Sequence, residues 1–270
     1  LNDLYQLKNK VIVVSGSTGV LGSSLVDSLA EEKAFLILLG RNNKLLKKKI
    51  NELYNKTKAE YFVVDVLNKS DLERVSVKII QKYKKIDVLI NAVGGNLPGS
   101  IIEETSSIFE LDENAFDDVV NLNLKGTVLP SLVFGKEMSK NKSGAILNYS
   151  SMVTDKVLTK VVGYSAAKAA MENFTKWMAV EMSRKFDGKI RVNAIAPGFF
   201  ISKQNKKLLI KENGKLTERA EKIIAKTPMG RFGKPEELSE AVKFLCGDGA
   251  SFITGIVLPI DGGFSSFSGV

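Results

Sequence analysis

Tyr164 and Lys168 stand four residues apart in the pentapeptide "YSAAK", in a chain of 270 residues that contains no histidine. On a helix this spacing places both side chains on one face, about 5–6 Å apart between Cβ atoms. A free phenol has a pKa of about 10, so it exchanges protons near neutrality only if positive charge stabilises the phenolate. Such pairs also arise by chance in many helices, so proton transfer by a tyrosine, with a nearby ammonium favouring the phenolate, is at this point a hypothesis that needs further residues.

A glycine-rich turn occurs in "VVSGSTGVLGSSL" (13–25), between an apolar run and an amphipathic segment. Gly16, Gly19 and Gly22 recur at intervals of three. Such a turn lets backbone amides and the positive end of a helix approach a pyrophosphate. Turns between strands and helices also contain glycine for steric reasons alone, but the position of this one, after the first apolar run, favours binding of a dinucleotide.

The second apolar run ends in "LLGRN", where neutral Gly40 precedes Arg41. Enzymes that bind NAD commonly carry an acid at this point, whereas an arginine accommodates the 2′-phosphate of NADP. We therefore expect NADP(H) to be preferred and NAD(H) to be possible; as the alternative, Arg41 stacks on the adenine and tolerates either. Asp65 and Val66 are expected to meet the adenine, and "NAVGG" (91–95) leaves room for a ribose.

Seven short apolar runs alternate with longer stretches of helical period. The predicted strands are 10–16, 35–40, 60–65, 86–92, 144–150, 189–196 and 255–260, and the predicted helices are 20–32, 43–57, 70–83, 114–140, 163–186 and 235–246. Near-continuous hydrophobicity is typical of strands covered on both faces. The alternation predicts an α/β protein with a doubly wound, seven-stranded parallel sheet in one domain spanning 1–270.

Local signals mark two helix starts and two long irregular stretches. "SDLE" (70–73) is typical of a capping box, and Pro235 of a first helical residue. The stretches 94–113 and 197–235 both follow strands, so we expect them at the carboxyl edge of the sheet, where open α/β folds bind ligands. They are the predicted walls of a substrate pocket.

The formal charge of +9 comes from 33 lysines and only 6 arginines, interspersed with acids. A nucleic-acid surface more often uses arginine with interleaved aromatics. We therefore expect a solvated surface without a nucleic-acid partner. In "KLLKKK" (44–49), a helix would bury the leucines and leave the lysines in water.

Cys246 is the only cysteine, which excludes an internal disulfide and indicates a buried helical thiol. No apolar run approaches the roughly 20 residues of a membrane span, and "LNDLYQLKNK" (1–10) lacks the pattern of a secretory signal. We expect a cytoplasmic protein without a membrane partner. Without histidine or a carboxylate cluster, metal catalysis is not expected.

Seven segments together resemble one family in order and spacing, across residues 8–264. They are "SGSTGVLG", "NAVGG", "NLNLKG", "NYSS", "YSAAK", "RVNAIAPG" and "DGG". This set resembles the short-chain dehydrogenase/reductase family, which implies a Rossmann-like single domain and an NAD(P)-dependent oxidoreductase acting on CH–OH groups. Ser15 stands where the family usually has threonine, and Val20 stands where it usually has glycine, so the backbone path beside the pyrophosphate is expected to differ in detail.

The resemblance also assigns the site residues. The implied catalytic tetrad is Asn123, Ser151, Tyr164 and Lys168, with Ser151 chosen over Ser150 because the family's serine precedes its tyrosine by 13 residues. Asn123 is chosen over Asn121 because it lies three residues before Gly126. The expected cofactor-binding residues are Gly16, Ser17, Thr18, Gly19, Val20, Leu21, Arg41, Asp65, Val66, Asn91, Ala92, Val93, Gly94, Tyr164, Lys168, Pro197, Gly198, Phe200 and Ser202.

The tetrad members have distinct expected roles. Tyr164 would protonate the substrate oxygen, and Ser151 would donate a hydrogen bond to the same oxygen. Lys168 would hold the nicotinamide ribose and lower the tyrosine pKa together with the positive charge of the oxidised nicotinamide. Asn123 would position a water that connects Lys168 to solvent.

Further segments, among them "LTKVVGYSAAKAAMENFTKWMAVEM", "TPMGRFGKPEEL" and "DGGFSSFSGV", resemble the D-mannonate oxidoreductase (fructuronate reductase) branch of the family. This implies D-fructuronate and D-mannonate as the ketone and alcohol. Gluconate-type and 3-oxoacyl-carrier-protein reductases are alternatives, as is a catalytically idle dinucleotide-binding sensor, which the complete tetrad disfavours.

A sugar acid carries a carboxylate, which needs cationic or amide partners. The candidate substrate residues are Asn96, Ser151, Lys160 and Gln204. Taken singly, residues such as Asn96, Lys160 and Gln204 are more often solvated surface residues. The family resemblance also suggests a homotetramer, with the helices near 114–140 and 163–186 at one interface and the C-terminal strand region at another.

Overall fold

Seven parallel strands form one sheet in the computed structural model, which describes residues 5–97, 99–103, 105–201 and 206–269. The strands are β1 (Val11–Ser15), β2 (Phe35–Gly40), β3 (Ala59–Val63), β4 (Val88–Asn91), β5 (Gly144–Tyr149), β6 (Ile190–Pro197) and β7 (Val257–Ile260). Their order is β3-β2-β1-β4-β5-β6-β7, and every neighbouring pair is parallel. The predicted Rossmann-like sheet is confirmed, and its order reverses between β1 and β4, where such folds open a crevice for ligands.

Nine α-helices connect these strands within the described residues. They are α1 (Val20–Glu31), α2 (Asn43–Leu53), α3 (Lys69–Tyr83), α4 (Glu113–Val120), α5 (Gly126–Asn141), α6 (Val162–Lys185), α7 (Lys206–Leu209), α8 (Glu218–Ala225) and α9 (Pro235–Cys246). The short α7 and α8 lie in the second irregular stretch and share a small apolar cluster that includes Leu209 and Ile223.

The sheet divides the core into two apolar layers, because successive strand residues point to opposite faces. Ile12 and Val14 of β1 face the layer that α1, α2 and α9 cover, whereas Val11 and Val13 face the layer under α3, α5 and α6. Each fully buried aliphatic side chain contributes about 1.5–3 kcal/mol to folding. Burial on both faces explains why the strands are apolar throughout instead of alternating.

The predicted helix 114–140 is interrupted by a π-helical turn, Asn121–Lys125, between α4 and α5. The side chain of Asn123 donates to the carbonyl of Val119 at 2.8 Å. In a regular α-helix that carbonyl would accept the backbone amide of residue 123, so the side chain competes with the helical ladder. Apolar periodicity carries no signal for this competition, which is why the prediction was a continuous helix.

The start of α3 corrects the capping prediction. The helix is capped by Asn68, whose Oδ1 accepts from the Asp71 amide at 3.2 Å, and not by Ser70. The Ser70 hydroxyl instead donates to Asn68 Oδ1 at 2.7 Å. At α9 the prediction is confirmed: Pro235 is the first helical residue.

The lysine cluster 44–49 is only partly as expected. Leu46 is buried, but Leu45 is exposed, and Lys49 is buried with its Nζ 2.6 Å from Asp27 Oδ2. Leu46, Lys49 and Leu53 share one face of α2 at helical spacing, and Leu45 lies beside it. The ion pair with Asp27 compensates the buried ammonium.

Among the described residues, no helix is both long and apolar enough to cross a membrane. Across the same residues, no group of three or more histidine, cysteine or acidic side chains is arranged to hold a metal ion.

Candidate active site

The glycine turn after β1 lies directly against the end of β4. Gly16 has φ +72°, and a Cβ on it would lie 2.5 Å from the carbonyl oxygen of Ala92. A Cβ on Gly22 would lie 2.3 Å from the carbonyl oxygen of Gly16, so α1 starts in close contact with the turn. Only glycine fits these two positions. Gly19, at the N-cap of α1, has no side chain to occupy the first-turn amides, which leaves them accessible to an anion.

A cleft of about 210 Å³ opens beside this turn. It is lined by nine of the predicted cofactor-binding residues, namely Gly16, Thr18, Gly19, Arg41, Asp65, Val66, Ala92, Val93 and Gly94, and by Gly40, Val64 and Leu122. The arrangement fits the adenosine half of a dinucleotide. Leu122 was missed because it comes from the π-helical turn, although its position in "NLNLK" next to Asn123 could have signalled it.

Two other predicted cofactor residues use their side chains to join elements of the fold. The Ser17 hydroxyl is fully buried and donates to the Leu39 carbonyl of β2 at 3.2 Å. The Asn91 amide donates to Ser131 Oγ and to Asn148 Oδ1, each at 2.9 Å. Neither side chain is directed at the cleft, so any contact of these two residues with a cofactor would use their backbone.

Five further predicted cofactor residues do not line this cleft, namely Val20, Leu21, Pro197, Gly198 and Phe200. Val20 and Leu21 are the first residues of α1. Pro197 ends β6, and the following Gly198 donates its amide to the Ile260 carbonyl at 3.0 Å. The Phe200 side chain is buried against Gly233. Ser202 lies outside the described residues.

Tyr164, in the first turn of α6, lies near Ser151, whose hydroxyl lowers the pKa of the phenol. Ser151 follows β5 and caps a short 3₁₀ turn, Met152–Thr154, by accepting from the Val153 amide at 3.5 Å. The neighbouring Ser150 is buried and donates elsewhere. The geometry therefore pairs the predicted Ser151, and not Ser150, with the phenol.

Lys168 extends from α6 into the buried end of β5. Its Nζ donates to the Tyr149 carbonyl at 2.6 Å and lies 5.6 Å from the centroid of the Tyr164 ring. Burial lowers the pKa of Lys168 to about 8, and the nearby Glu172 carboxylate acts in the opposite direction. The ammonium thus lies in a site that disfavours its charge, with the Tyr149 carbonyl as its bonded acceptor and the Glu172 carboxylate acting through its charge.

The phenol does not have the lowered pKa expected from the lysine. Burial raises the pKa of Tyr164, and the Ser151 hydroxyl lowers it by a smaller amount. Lys168 Nζ lies 5.6 Å from the centroid of the Tyr164 ring, so its ammonium and the positive charge of an oxidised nicotinamide would both favour the phenolate, as the sequence argument requires.

Asn123 is fully buried and binds both backbone polar groups of one residue, Gly95, in the loop after β4. Its Oδ1 accepts from the Gly95 amide and its Nδ2 donates to the Gly95 carbonyl, both at 2.9 Å. With Nδ2 also donating to Val119, both amide protons are used. The predicted role of holding a water would have to use the remaining lone pair of Oδ1.

Gly94 is enclosed by the same groups. A Cβ at this position would lie 2.6 Å from Asn123 Oδ1 and 3.0 Å from Lys168 Nζ. Because Gly94 has no side chain, the backbone of the cleft wall lies directly against the Asn123 amide and the Lys168 ammonium. This fits a ribose that packs against exposed backbone.

Glu172 is a site residue that the sequence argument missed. It lies one helical turn beyond Lys168 on α6, and its Oε1 accepts from Ser150 Oγ at 2.5 Å and from Thr154 Oγ1 at 2.7 Å. The spacing Tyr164, Lys168, Glu172 could have signalled it, because residues four apart share a helix face.

The predicted substrate residues are less closely grouped. Lys160 is half-buried, with its Nζ 3.9 Å from Glu103 Oε2, and its carbonyl accepts from the Ile102 amide at 3.0 Å. Lys160 thereby joins the loop 94–113 to the segment before Tyr164. Asn96 is exposed on that loop, and Gln204 lies outside the described residues.

The second irregular stretch meets the "DGG" segment at another cleft, of about 380 Å³, lined by Phe199, Phe200, Met229, Arg231, Gly233, Glu237 and residues 259–263. Asp261 closes this segment by accepting from the amides of Gly263 and Ser265. Both predicted pocket walls therefore follow carboxyl ends of strands, as expected.

A family model described as enoyl-(acyl carrier protein) reductase matches residues 17–265. An uncharacterized oxidoreductase of Haemophilus influenzae is 43% identical, over 98% of this chain and 96% of its own length. The uncharacterized oxidoreductase UxuB of Bacillus subtilis is 43% identical over 98% of both proteins.

A solved structure adds the cofactor of a relative. The crystal structure of a candidate D-mannonate oxidoreductase from Haemophilus influenzae, with bound NAD, has a TM-score of 0.91 and 43% identity, with 98% of each chain covered. This supports a dinucleotide cofactor and gives no support to the predicted preference for NADP(H). The sheet order, the glycine turn and these matches lead to one conclusion: the chain belongs to the short-chain dehydrogenase/reductase family of oxidoreductases that act on alcohol and carbonyl groups.

Proposed function

We propose that the protein transfers a hydride between a nicotinamide dinucleotide and a sugar acid, interconverting a ketone and a secondary alcohol, with D-fructuronate and D-mannonate as the substrate pair. The observation that carries the proposal is the meeting of Ser151, Tyr164 and Lys168 beside the glycine turn, at the carboxyl edge of the sheet. The similarity to a candidate D-mannonate oxidoreductase supports the substrate.

In the reducing direction the Tyr164 hydroxyl donates its proton to the ketone oxygen. This fits a phenol whose pKa is raised by burial, because such a phenol stays protonated until the oxygen becomes basic. The Ser151 hydroxyl donates a second hydrogen bond to that oxygen and orients it. When bound, the nicotinamide supplies the hydride.

Lys168 and Asn123 act on the opposite side of the phenol. The Lys168 ammonium, already held by the Tyr149 carbonyl, is placed to bind the hydroxyls of the cofactor ribose. Asn123 keeps the Gly94–Gly95 backbone in the position that leaves room for this ribose. These roles need no metal ion.

The cofactor proposal covers both dinucleotides. The NAD in the related structure supports NAD(H), whereas Arg41, exposed at the rim of the adenosine cleft, supports binding of a 2′-phosphate. Rates measured with NADH and NADPH separately decide between them, and a ratio near unity would assign Arg41 a stacking role.

A second candidate is reduction of an acyl thioester on a carrier protein. The net charge of +9 would suit an acidic partner, and the matching family model bears the name of such a reductase. In this case the lysine-rich surface, and not the pocket, would carry the substrate recognition.

The test measures turnover of a panel of keto sugar acids, neutral ketones and acetoacetyl thioesters. The reaction is monitored by the absorbance of the reduced nicotinamide. We expect turnover with a keto sugar acid and none with the thioester. Tyr164→Phe is expected to lower kcat at least about 10³-fold, because the proton donor is lost, while the dissociation constant of the cofactor stays within about twofold. Substantial activity in Tyr164→Phe would contradict the proposal, and no turnover with any substrate would favour the idle sensor.

A further inference from the structure

The segment 150–154, which carries Ser151, is attached to α6 at both of its ends. Ser150 and Thr154 each direct a hydroxyl to the same carboxylate oxygen, Oε1 of Glu172, at 2.5 and 2.7 Å. Thr154 also lies 3.0 Å from the Ser151 carbonyl, but its single proton has the carboxylate as the nearer acceptor. A carboxylate is the stronger acceptor, so both hydroxyls are directed at Glu172.

The helix that receives these bonds is the one that carries the phenol. Tyr164, Lys168 and Glu172 follow one another at intervals of four on α6 and therefore share one face. The serine and the tyrosine reach the substrate oxygen from different elements, the end of β5 and the start of α6. The carboxylate links those two elements two turns away from Tyr164.

The Ser150 amide ties the start of this segment to β6 by donating to the Ile195 carbonyl at 2.7 Å, whereas the two bonds to Glu172 are the side-chain hydrogen bonds that tie it to α6. Ser151 adopts extended backbone with φ −164°, and its own hydroxyl makes only a long 3.5 Å contact with the Val153 amide. The hydroxyl that has to point at the substrate is thus weakly held by its own turn. Its position depends on the residues on either side.

We propose that Glu172 is a positioning residue that fixes Ser151 against Tyr164 by fastening segment 150–154 to α6. The effect of Glu172 on the reaction rate rests on the proposed function, whereas its attachment of segment 150–154 to α6 does not. Glu172 does not touch the substrate; it acts through Ser150 and Thr154.

Two substitutions separate hydrogen bonding from bulk. Glu172→Gln keeps an acceptor oxygen of the same reach, whereas Glu172→Leu keeps the size and removes the acceptor. Glu181→Leu, on the same helix and paired only at its surface with Lys185, is the matched control. The double variant Ser150→Ala/Thr154→Val removes the donors and leaves the carboxylate in place.

The first measurement is hydrogen–deuterium exchange of the peptide that contains 150–154, with each protein in its full-length form. We expect exchange to become about tenfold or more faster in Glu172→Leu and in the double variant, since each loses two bonds to a charged acceptor. Glu172→Gln and Glu181→Leu are expected to match the unmodified protein. Combining Glu172→Leu with the double variant should add little, because both remove the same bonds.

The second measurement is the kinetics of ketone reduction. We expect kcat to fall about 10- to 100-fold in Glu172→Leu, because a displaced hydroxyl no longer meets the substrate oxygen, with KM for the cofactor within about twofold. Glu172→Gln is expected to restore kcat to within about threefold of the unmodified enzyme. A general loss of folding would also lower the apparent kcat, but it would be seen as a lower free energy of unfolding of Glu172→Leu in chemical denaturation.

Three results would overturn the proposal: unchanged exchange in Glu172→Leu, faster exchange with unchanged kcat, or equal losses in the glutamine and leucine variants. Absence of turnover in the unmodified protein would overturn the proposed function instead, and the exchange experiment would still decide the fastening. The two failures are therefore distinguishable.

Discussion

Lys168 is a buried ammonium, and the fold bears a cost for keeping it charged. Burial lowers the pKa of this lysine from 10.5 to about 8. Below about pH 8 the lysine is charged in both the folded and the unfolded chain, so the folded state carries the full cost of desolvation. Between about pH 8 and 10.5 the unfolded chain still binds the proton and the folded chain does not, so the stability of the native protein rises with pH.

We therefore expect Lys168→Met to be inactive but more stable than the native protein, by up to roughly 3 kcal/mol near neutral pH. The lost hydrogen bond to the Tyr149 carbonyl reduces this gain by an amount that does not depend on pH. The advantage of Lys168→Met over the native protein should shrink as the pH rises towards 10. Urea denaturation of both proteins between about pH 6 and 10 measures this difference. A difference that stays constant over that range would show that the lysine keeps an ordinary pKa.

Lys160 joins the loop 94–113, a predicted wall of the substrate pocket, to the segment before Tyr164. We therefore expect its ammonium to bind a substrate carboxylate. Lys160 has φ +76°, and alanine would occupy this backbone with the same strain, so Lys160→Ala isolates the side chain. We expect KM for a keto sugar acid to rise about tenfold and KM for an uncharged ketone to change less than about twofold. Lys156→Ala, which removes a charge from the same segment, is the control; equal effects on both substrates would exclude the role.

For single residues, the sequence predicts which side chains belong to the site more reliably than it predicts which atoms those side chains contact. The spacing and the family resemblance named Ser151 and Tyr164, and in the structure the Ser151 hydroxyl acts on the pKa of the Tyr164 phenol. Glu172 was not found because its partners, Ser150 and Thr154, are about twenty residues away along the chain. The bond between the Lys168 ammonium and the Tyr149 carbonyl was likewise not predicted, because no side-chain pattern encodes a backbone acceptor.

Among the secondary-structure elements, α3 offers a direct comparison of two capping residues. Asn68→Ala is expected to lower the free energy of unfolding by about 1 kcal/mol, because the Asp71 amide loses its acceptor. Ser70→Ala is expected to cost less than about 0.5 kcal/mol, since Ser70 lies inside the helix and only donates to the cap. Chemical denaturation of both variants measures the two costs, and a larger loss for Ser70→Ala would restore the capping-box interpretation.

Elements with a strong apolar pattern were predicted with ends correct to within a few residues. All seven strands and the helices α1, α2, α3, α6 and α9 lie where hydrophobic runs and periods indicated. The π-helical turn at Asn121–Lys125 was not predicted, because it arises from the bond between the Asn123 side chain and a helix carbonyl. The π-helical turn is thus caused by a side-chain hydrogen bond, which the periodicity of apolar residues does not reveal.

For the whole molecule, the family resemblance predicts a homotetramer with α5 and α6 at an interface. Three large apolar side chains on these helices are exposed by half or more: Leu132 (50%), Trp177 (63%) and Val180 (58%). We expect Trp177→Glu to produce smaller species in light scattering at micromolar concentration, because a charge would be buried at the contact. Tyr54→Glu, at an exposed site next to α2, is expected to leave the assembly unchanged. A native protein that is already monomeric would contradict the prediction.

The single cysteine of the chain has a practical consequence for following motion at the pocket. Cys246 is buried, and burial raises the pKa of its thiol to about 12, so almost no reactive thiolate forms at neutral pH. A cysteine introduced at an exposed position of the pocket loop, such as Phe109→Cys, would then be the one thiol that a maleimide dye finds. The protein can therefore be labelled at one introduced cysteine, as a fluorescent reporter of substrate entry, without first replacing Cys246.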